Sequence, residues 1–529
     1  MVLIAGMTAF RVCELCNAKR CLRKRTLLSS FLLSSALCHA YGQDTRHVTE
    51  PRIPSSCTVL TARLSSLVSA IAGPTLAGAD ESKPDTVRIQ QAMDRCKPGQ
   101  AVELKPAASH DAFLTGPLEL RQGVTLLVDK GAVLFGSRNP RDYDVVPGLC
   151  GTITEKKYPY TQGISGHACK PLIGGHDVAD AAVMGDGIID GRRWAKLLGQ
   201  EISWEDLAEQ SIMGWPQEYS RWARAVGKVP VAITTPPKIA GLQNNPRMLT
   251  LVHCDNFTLY HIQLRNSPNF AVSYAGGNGF TVWGIVITIP KDALNGDGIN
   301  LGQPWPEVST DTTNVTITHS YIYAGDDNLA IKSRTGSATS HVTVVHNHFY
   351  AGHGVGTGSS TSGGISNVRI SDLTLDGTST GINMKSNIKL GGLVHDLEFN
   401  DICIRGSASP ISIGTHSGSD GHHEVDATDS NKPPQYVDVR LSNILIQGGG
   451  GIGIDGLDTE HHLSISFHNV VVDQPGPVRA SARHADIAID GSNFAPSGDD
   501  VTLTGAPSKG VANNCDGRFA AFPAPVSAQ

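Results

Sequence analysis

The sequence predicts an all-β fold, a solenoid in which the chain winds into a single-stranded parallel β-helix. Glycine is abundant at 57 residues, whereas aromatic residues make up 6% and charged residues 17%. This composition is typical of a folded, turn-rich β-protein rather than of a helical bundle. Short runs of alternating apolar and polar residues also recur at a nearly constant spacing, and one clear helical pattern stands near the N-terminus.

The repeats begin at residues 314, 341, 367 and 395, so they are 27, 26 and 28 residues apart. Each opens with a polar residue, alternates in polarity and ends in a glycine or serine turn, as in "NVTITHSYIYAGDD" and "HVTVVHNHFYAGHG". Similar segments begin at 256 and 437. Repeats of this length indicate stacked supersecondary units. Each is too short for a propeller blade and contains no helix, so we predict that every coil lays short strands on the previous coil.

A short capping helix is predicted immediately after Asp85, a good N-cap residue. Ile89, Ala92, Met93 and Cys96 follow at helical spacing, which gives the helix one apolar face. A Pro-Gly pair then ends the helix. Because the ends of a solenoid need caps, we expect this helix to cover the N-terminal end.

We divide the chain into a leader, residues 1–42, and a parallel β-helix domain, residues 43–529. The domain begins with an N-terminal cap at about 50–130. A partly helical insertion at about 192–247 interrupts the strand pattern, and in it Ser203 and a carboxylate three residues later are typical of a capping box. The insertion is therefore expected to leave the solenoid and return to it.

The leader has the features of a signal peptide. Arg23, Lys24 and Arg25 precede the apolar run "TLLSSFLLSSALCHAYG", and cleavage is expected after Ala40 or Gly42. We therefore predict a secreted or periplasmic protein. No apolar run reaches the roughly 20 residues that a membrane helix needs, so we expect no membrane span.

The charge of the chain argues against one class of partner. Residues 1–42 contribute a net +5 to the total of −6, so residues 43–529 carry −11. This acidic balance argues against nucleic acid as a partner. An anionic substrate would have to be bound by a locally basic groove.

The seven cysteines that follow the leader are Cys57, Cys96, Cys150, Cys169, Cys254, Cys403 and Cys515. An exported chain can oxidise them. Proximity in sequence favours pairing the first with the second and the third with the fourth, although sequence alone does not fix the connectivity. The odd number leaves at least one free thiol. Cys254 and Cys403 lie inside apolar strands, and we expect both to be buried free thiols.

Chemistry-bearing residues recur at one register of four consecutive coils. They are Asp297 in "NGDGIN", Asp326 and Asp327 in "GDDNLAIKS", His353 in "GHGVGTGS" and Lys385 in "GINMKS". Stacked coils place equivalent positions about 4.8 Å apart. We therefore expect three carboxylates, a histidine and a lysine to line one surface.

Crowded carboxylates suit acid–base catalysis, because crowding raises the pKa of one group and leaves others ionised. An inverting glycosidase needs one protonated carboxyl for the leaving oxygen and a carboxylate that activates water, typically about 6.5–9.5 Å away. The adjacent pair Asp326 and Asp327 would then contribute an acid and a base. Taken singly, each aspartate is also compatible with a turn that caps a strand.

Four motifs in order resemble those of glycoside hydrolase family 28, the polygalacturonases, whose signatures are N-T-D-G, G-D-D, G-H-G and R-[IM]-K. "GDGIIDG" from residue 185 and "NSPNF" from residue 266 also resemble the family, and the likeness runs from about Cys57 to residue 470. The corresponding residues here are Asn295-Gly296-Asp297-Gly298, Gly325-Asp326-Asp327, Gly352-His353-Gly354 and Asn383-Met384-Lys385.

The resemblance implies a catalytic domain with a right-handed parallel β-helix and metal-free, inverting hydrolysis of α-1,4-galacturonan in pectin, without a cofactor. It implies that Asp326 is the general acid, and that Asp297 and Asp327 hold and deprotonate the attacking water. His353 would tune the acid through a hydrogen bond. Lys385 would bind a substrate carboxylate through a charge-assisted hydrogen bond.

Two motif residues besides Lys385 are predicted to bind substrate, Asn295 and Asn383. Asn383 replaces the usual arginine, which can grip a carboxylate bidentately, so we expect weaker binding beside the cleavage point or a substrate with fewer carboxylates there. Lys332, Arg334 and Lys389 are cations that would compensate for the missing arginine if they lay near this position, but sequence does not place them.

The insertion at 192–247 favours exo action, because it would close one end of the groove. Its sequence also resembles that of bacterial exo-type members. A rhamnogalacturonan-type hydrolase is the near alternative. A pectate lyase on the same fold would need Ca²⁺ and a basic residue, and we expect no arginine or lysine at the equivalent register beside the aspartates. A third alternative is a non-catalytic β-solenoid that binds glycans. The expected partner is a polysaccharide, and we expect a monomer.

Overall fold

The computed structural model describes residues 43–69, 73–155, 168–213, 241–303, 308–416, 432–511 and 513–523. The predicted leader, residues 1–42, lies outside the described residues. So do residues 214–240 of the predicted insertion. The described strands stack coil upon coil into long parallel sheets, and the predicted parallel β-helix is confirmed.

The larger parallel sheet wraps around the solenoid and contains the long strands of the repeats. Its strands are Ser56–Thr61, Gln100–Lys105, Ala112–Thr115, Val124–Val128, Val133–Gly136, Ala182–Met184, Ile188–Asp190, Phe257–Tyr260, Gln263–Arg265, Asn278–Trp283, Val286–Thr288, Thr312–Thr318, Tyr321–Ala324, Thr339–Ala351, Ile365–Asp376, Leu393–Arg405, Gln435–Gln447, Leu463–Asp473, Ala485–Asp490 and Val501–Thr504.

The smaller parallel sheet carries the predicted site. Four of its consecutive strands are named here β1 (Ile299–Leu301), β2 (Leu329–Ser333), β3 (Val355–Thr361) and β4 (Thr380–Lys385). Its other strands are Leu118–Glu119, Ile173–His176, Leu249–Val252, Val272–Ala275, Ser409–Gly414, Gly451–Asp455 and Arg479–Arg483. Short antiparallel pairs join Ser66–Ser69 to Gly73–Leu76 and Ile153–Glu155 to Gly241–Gln243.

The polar residues of the repeats have a conformational reason. The long strands bend at residues with positive φ, and such residues also lie at the first or second position of each repeat. In an L-residue this left-handed conformation is best tolerated by asparagine, aspartate and histidine. The bends lie at His346, Asp372, Asp401, Asn443 and Asn469, and the openings at Asn314, His341, Asn367, Asp396 and Asp438.

The interior of the solenoid is a set of apolar ladders. Val315 stacks on Val342, which stacks on Val368, Leu397 and Val439 in successive coils. All five side chains are buried. Burying such a side chain stabilises a fold by about 1.5–3 kcal/mol. Because the repeats have nearly the same length, equivalent apolar residues align from coil to coil, and their burial fixes the register of the strands.

Helix α1 (Thr86–Arg95) covers the interior near the N-terminal end and buries Ile89, Ala92 and Met93, as predicted. Asp85 occupies the N-cap position, but its side chain does not cap the helix. It instead pairs with Arg88 at 2.7 Å and accepts a 3.3 Å hydrogen bond from the N–H of Leu114. The predicted position of the cap is confirmed, and its carboxylate links the helix to the solenoid.

Helix α2 (Trp204–Met213) begins the insertion. Asp206 Oδ2 accepts hydrogen bonds from the Ser203 N–H at 2.7 Å and from Ser203 Oγ at 2.8 Å. The Asp206 N–H donates back to Ser203 Oγ at 3.1 Å. The predicted capping box is therefore confirmed. The remaining helices are the short 3-10 turns Gly78–Ser82 and Pro140–Tyr143 among the described residues.

Three disulfides join the described cysteines in the pairs Cys57–Cys96, Cys150–Cys169 and Cys403–Cys515. The first two pairs confirm the prediction from proximity, and Cys254 is a buried free thiol as expected. The prediction that Cys403 is a free thiol was wrong. The C-terminal segment returns over the larger sheet, where Arg518 binds Asp401 at 2.6 Å, and this return brings Cys515 to Cys403.

Among the residues that the structure describes, no helix is both long and apolar enough to cross a membrane.

Candidate active site

Strands β1 to β4 bring the predicted site residues together. Ile299 of β1 pairs with Leu329 of β2, which pairs with Val355 of β3, which pairs with Ile382 of β4. The register predicted from the four motifs is therefore confirmed. The predicted residues on these strands and in the turns before them are Asp297, Asp326, Asp327, His353, Asn383 and Lys385.

Asp326 and His353 form a hydrogen-bonded pair. His353 Nδ1 lies 3.0 Å from Asp326 Oδ1, and the same oxygen accepts the Asp327 N–H at 2.8 Å. The hydrogen bond with Asp326 raises the pKa of His353. Burial alone would raise the pKa of Asp326, but His353 and the charge of Lys385 outweigh burial and hold this pKa well below its usual range.

Asp327 and Lys385 form a nearly buried ion pair. Lys385 Nζ lies 3.1 Å from Asp327 Oδ2 and 3.3 Å from Oδ1. Burial opposes the charge of Lys385, but the charges of Asp327 and Asp326 outweigh it and raise the pKa of Lys385. The carboxylate lies directly over Gly356, where a Cβ atom would stand 2.8 Å from Asp327 Oδ2. A side chain at residue 356 would therefore displace Asp327.

Asp297 is a buried carboxyl of the site. Asp297 Oδ2 accepts a 3.1 Å hydrogen bond from Asn300 Nδ2 and lies 3.9 Å from Lys332 Nζ. Its Oδ1 has no hydrogen-bond partner among the described residues. Burial and the charge of Asp326 raise the pKa of Asp297 to about 8, against the opposing charge of Lys332. Its surroundings therefore favour the protonated form of Asp297.

Comparisons with known proteins identify the family in which this arrangement occurs. The sequence model for Glycosyl hydrolases family 28 matches residues 235–457. An endo-polygalacturonase of Pectobacterium carotovorum subsp. carotovorum is 32% identical over 450 residues, which cover 84% of this chain and 94% of that protein. The chain belongs to glycosyl hydrolase family 28. It is therefore a glycoside hydrolase, and the resemblance of the four motifs is confirmed.

Further relatives of this family 28 enzyme are similar over most of their length. A solved polygalacturonase from Erwinia carotovora ssp. carotovora superposes with a TM-score of 0.67 and 29% identity, covering 84% of this chain and all of that chain. An exo-poly-alpha-D-galacturonosidase of Dickeya chrysanthemi is 25% identical over 423 residues, covering 76% of this chain and 67% of that protein. Relatives named for endo action and for exo action are thus both present.

The two asparagines of the family 28 motifs have different surroundings. Asn295 adopts a positive φ of 51° and accepts a 2.6 Å hydrogen bond from Gln243 Nε2. Asn383 is half-buried, and its neighbours on the adjacent strands are Gly356 and Ser412. Its side chain has no hydrogen bond to a described residue. Asn383 therefore lies on the face of β4 that carries Lys385 two residues later.

Lys332 stands at the opposite side of the site from Lys385. Lys332 Nζ donates a 2.7 Å hydrogen bond to Asn300 Oδ1 and lies 5.1 Å from the centre of the Phe270 ring. Burial lowers the pKa of Lys332, although Asp297 opposes the change. Sequence did not place Lys332, and it gave no sign that Asn300 joins the site. Of the other cations considered, Lys389 is exposed.

No arginine or lysine was expected at the equivalent register beside the aspartates, yet Lys332 and Lys385 both contact them from positions further along β2 and β4. A lysine side chain is long enough to reach a carboxylate of a neighbouring coil, which a comparison of registers does not reveal. These lysines supply the basic residue that a lyase needs. A lyase also needs Ca²⁺, and the charges at the site oppose its binding. Ligand atoms of Asp326, Asp327 and His353 lie within 4.8 Å of one another, but a Ca²⁺ ion there would be repelled by Lys385.

The insertion supports the turn that carries Asp297. Arg193 is fully buried and forms an ion pair with Glu205 of α2. It also donates to the Ser267 carbonyl at 2.9 Å and to the Leu294 carbonyl. Leu294 stands three residues before Asp297, so α2 is connected through one guanidinium to the turn that carries Asp297. Sequence predicted the helix but not this connection.

Proposed function

We propose that this glycoside hydrolase cleaves α-1,4-galacturonosyl linkages of pectin and polygalacturonate by metal-free, inverting acid–base catalysis. The observation that carries the proposal is the cluster of Asp297, Asp326 and Asp327 with His353 and Lys385 on one face of four coils. Lys385 and Lys332 supply cations to a groove in an acidic chain, as a uronate substrate requires. The similarity to polygalacturonases supports the same substrate class.

In the proposed reaction Asp326 protonates the glycosidic oxygen while the bond from that oxygen to the anomeric carbon breaks. Asp326 is ionised in the free site, so it first receives a proton from His353 along their 3.0 Å contact. A water held by Asp297 and Asp327 attacks the anomeric carbon from the opposite face. Its proton passes to one of these carboxylates, which must be ionised to accept it.

The ionisation of Asp297 sets a condition on this assignment. Burial and the charge of Asp326 raise its pKa to about 8, which favours its protonated form in the free site. If Asp297 is the base, kcat/KM should therefore rise as pH increases towards about 8, because the base must first lose its proton. If Asp297 were instead the acid, kcat/KM should fall over the same range.

Lys385 is proposed to bind the carboxylate of the sugar beside the cleavage point, together with Asn383 and Asn295. Lys385 also holds Asp327, so it would orient the base and the substrate at once. A charge-assisted hydrogen bond of this kind contributes about 1.5–3 kcal/mol. Asn383 supplies no charge, and this favours the second candidate, a rhamnogalacturonan-type hydrolase whose substrate has fewer carboxylates there.

Exo action and export remain predictions from the sequence. We propose exo action because the insertion is tied to the catalytic turn through Arg193, and an insertion at the end of the groove would stop a long chain from passing. The endo-acting relative at 32% identity is the observation against it. Secretion is proposed from the features of residues 1–42, and a polysaccharide substrate outside the cytoplasm is consistent with it.

Product analysis tests the proposal. Wild type and Asp326→Asn would be incubated with polygalacturonate and a chelator, while reducing ends and the ultraviolet absorbance of unsaturated products are followed. We expect saturated reducing ends from wild type and a loss of about 10²–10⁴-fold in the variant, as for removal of a general acid. Galacturonate alone indicates exo action, and mixed oligomers indicate endo action.

Other outcomes would overturn the proposal in distinct ways. Unsaturated products would indicate a lyase. Absence of reducing ends with polygalacturonate, together with products from rhamnogalacturonan, would identify the second candidate. Retained binding of both polymers without any products would indicate a non-catalytic glycan binder.

A further inference from the structure

Lys332 contacts Asp297 of the catalytic cluster, but none of the proposed proton-transfer or bond-breaking steps uses it. It lies on β2, and its side chain crosses to the neighbouring coil that carries Asp297 and Asn300. Lys332 Nζ is 2.7 Å from Asn300 Oδ1 and 3.9 Å from Asp297 Oδ2, and Asn300 Nδ2 is 3.1 Å from the same Asp297 oxygen. The three side chains form a closed set of contacts beside the carboxyl.

Lys332 determines which way the Asn300 amide faces. An ammonium group is only a donor, so it requires the amide oxygen on its side. The amide NH₂ must then face Asp297, where it donates to Oδ2 and favours the ionised carboxylate. Asn300 is fully buried, so its orientation is set by the side chains that it contacts. Without Lys332 the amide could turn its oxygen to Asp297, and that orientation favours a protonated carboxyl.

The charges around Asp297 make this contact important. From the turn before β2, Asp326 and Asp327 face it and favour its protonated form. From β2 itself, Lys332 opposes them. Lys385 of β4 also interacts with Asp297, but its ammonium is paired directly with Asp327. Lys332 is therefore the cation placed to favour the ionised form of Asp297.

We propose that Lys332 is a positioning residue, which fixes the Asn300 amide, orients Asp297 and favours the loss of the Asp297 proton that a base requires. The proposal rests on the proposed function in one respect, namely that Asp297 accepts the proton of the attacking water. It adds that β2 supplies both the acid, in the turn before it, and the residue that prepares the base.

The first test is the pH profile of kcat/KM on polygalacturonate for wild type, Lys332→Met, Lys332→Gln and Lys332→Arg. We expect Lys332→Met to move the acidic limb upward by at least about 1 pH unit, the lower end of the effect of a nearby opposite charge. Activity should recover towards wild type at high pH. Lys332→Arg should restore the limb, and Lys332→Gln, which keeps a donor without the charge, should fall between them.

A matched control is Lys130→Met, which removes an exposed lysine in the turn after Val124–Val128. Its profile should equal that of wild type. A loss of activity in Lys332→Met that is the same at every pH would indicate a merely structural role and would overturn the proposal. So would an unchanged acidic limb in folded Lys332→Met and Lys332→Gln.

The second test does not require a substrate. Carbon NMR of aspartate-labelled protein would follow the carboxyl signal that disappears in Asp297→Asn. We expect its midpoint to rise in Lys332→Met by the same amount as the acidic limb. If wild type is inactive on polygalacturonate but the midpoint still rises, the proposed function fails while the link from Lys332 to Asp297 holds. A midpoint that does not move overturns the link itself.

Discussion

Replacing Lys385 by methionine isolates the ion pair at the centre of the site. The Asp327 side chain is 3% exposed and the Lys385 side chain 23% exposed. Methionine keeps much of the volume of the lysine stem but removes both hydrogen bonds to the carboxylate. The variant therefore leaves a nearly buried carboxylate without its cation.

The cost follows from this burial. Breaking a fully buried pair costs about 3–5 kcal/mol, and an exposed pair contributes only about 0–1 kcal/mol. Because Lys385 is partly exposed to solvent, we expect Lys385→Met to lower the free energy of unfolding by about 2 kcal/mol, between these limits. The raised pKa of Lys385 means that this contribution is fully present below about pH 10.4 and is lost as pH rises further.

Denaturant unfolding at neutral pH would measure this change in Lys385→Met, Asp327→Asn and the double variant. The double variant should be more stable than Lys385→Met, within about 1 kcal/mol of wild type, because no buried charge is left unpaired. Lys389→Met, an exposed lysine on the following turn, should change stability by less than about 0.5 kcal/mol. A double variant no more stable than Lys385→Met would refute the reasoning.

Three further predictions concern other parts of the molecule. Asp326→Asn should lower the midpoint of His353 in NMR titration, because the hydrogen bond with Asp326 raises the pKa of that imidazole; an unchanged midpoint would contradict the pair. Cys515→Ser opens a disulfide that spans 112 residues. It should lower the free energy of unfolding by up to about 4.7 kcal/mol in the chain-entropy account, or by less if only the C-terminal tail detaches. Thermal unfolding and limited proteolysis would measure the loss. Asn383→Arg should lower KM for polygalacturonate by about 10-fold or more through one charged hydrogen bond, and an unchanged KM would mean that no substrate carboxylate lies there.

Much of the fold could be predicted from the sequence, because residues that are one repeat length apart lie side by side in a solenoid. The spacing of about one coil placed Asp297, Asp326, His353 and Lys385 at one register, and the paired strands have that register. The polar residue at the start of each repeat was visible, but its cause was not. Its left-handed backbone conformation is evident only from the structure.

What sequence missed depends on side chains that leave their own coil. Lys332 reaches an aspartate of the preceding coil along a flexible stem, so no periodicity marks it. Cys403 reads as an interior residue of a strand, but the tail that covers it carries Cys515, more than a hundred residues later. Sequence identified Asp85 as the N-cap residue. Only the structure shows that its carboxylate pairs with Arg88 and accepts a hydrogen bond from the adjacent strand.

The central claim is that Asp326 acts as the acid while Asp297 and Asp327 direct water to the opposite face of the sugar. Real-time proton NMR of the first products from α-linked polygalacturonate would test it most directly. The account predicts that β-anomeric reducing ends appear first and then equilibrate with the α-form, and that Asp326→Asn does not form them at a comparable rate. New reducing ends that appear first as the α-anomer would show retention and contradict the account.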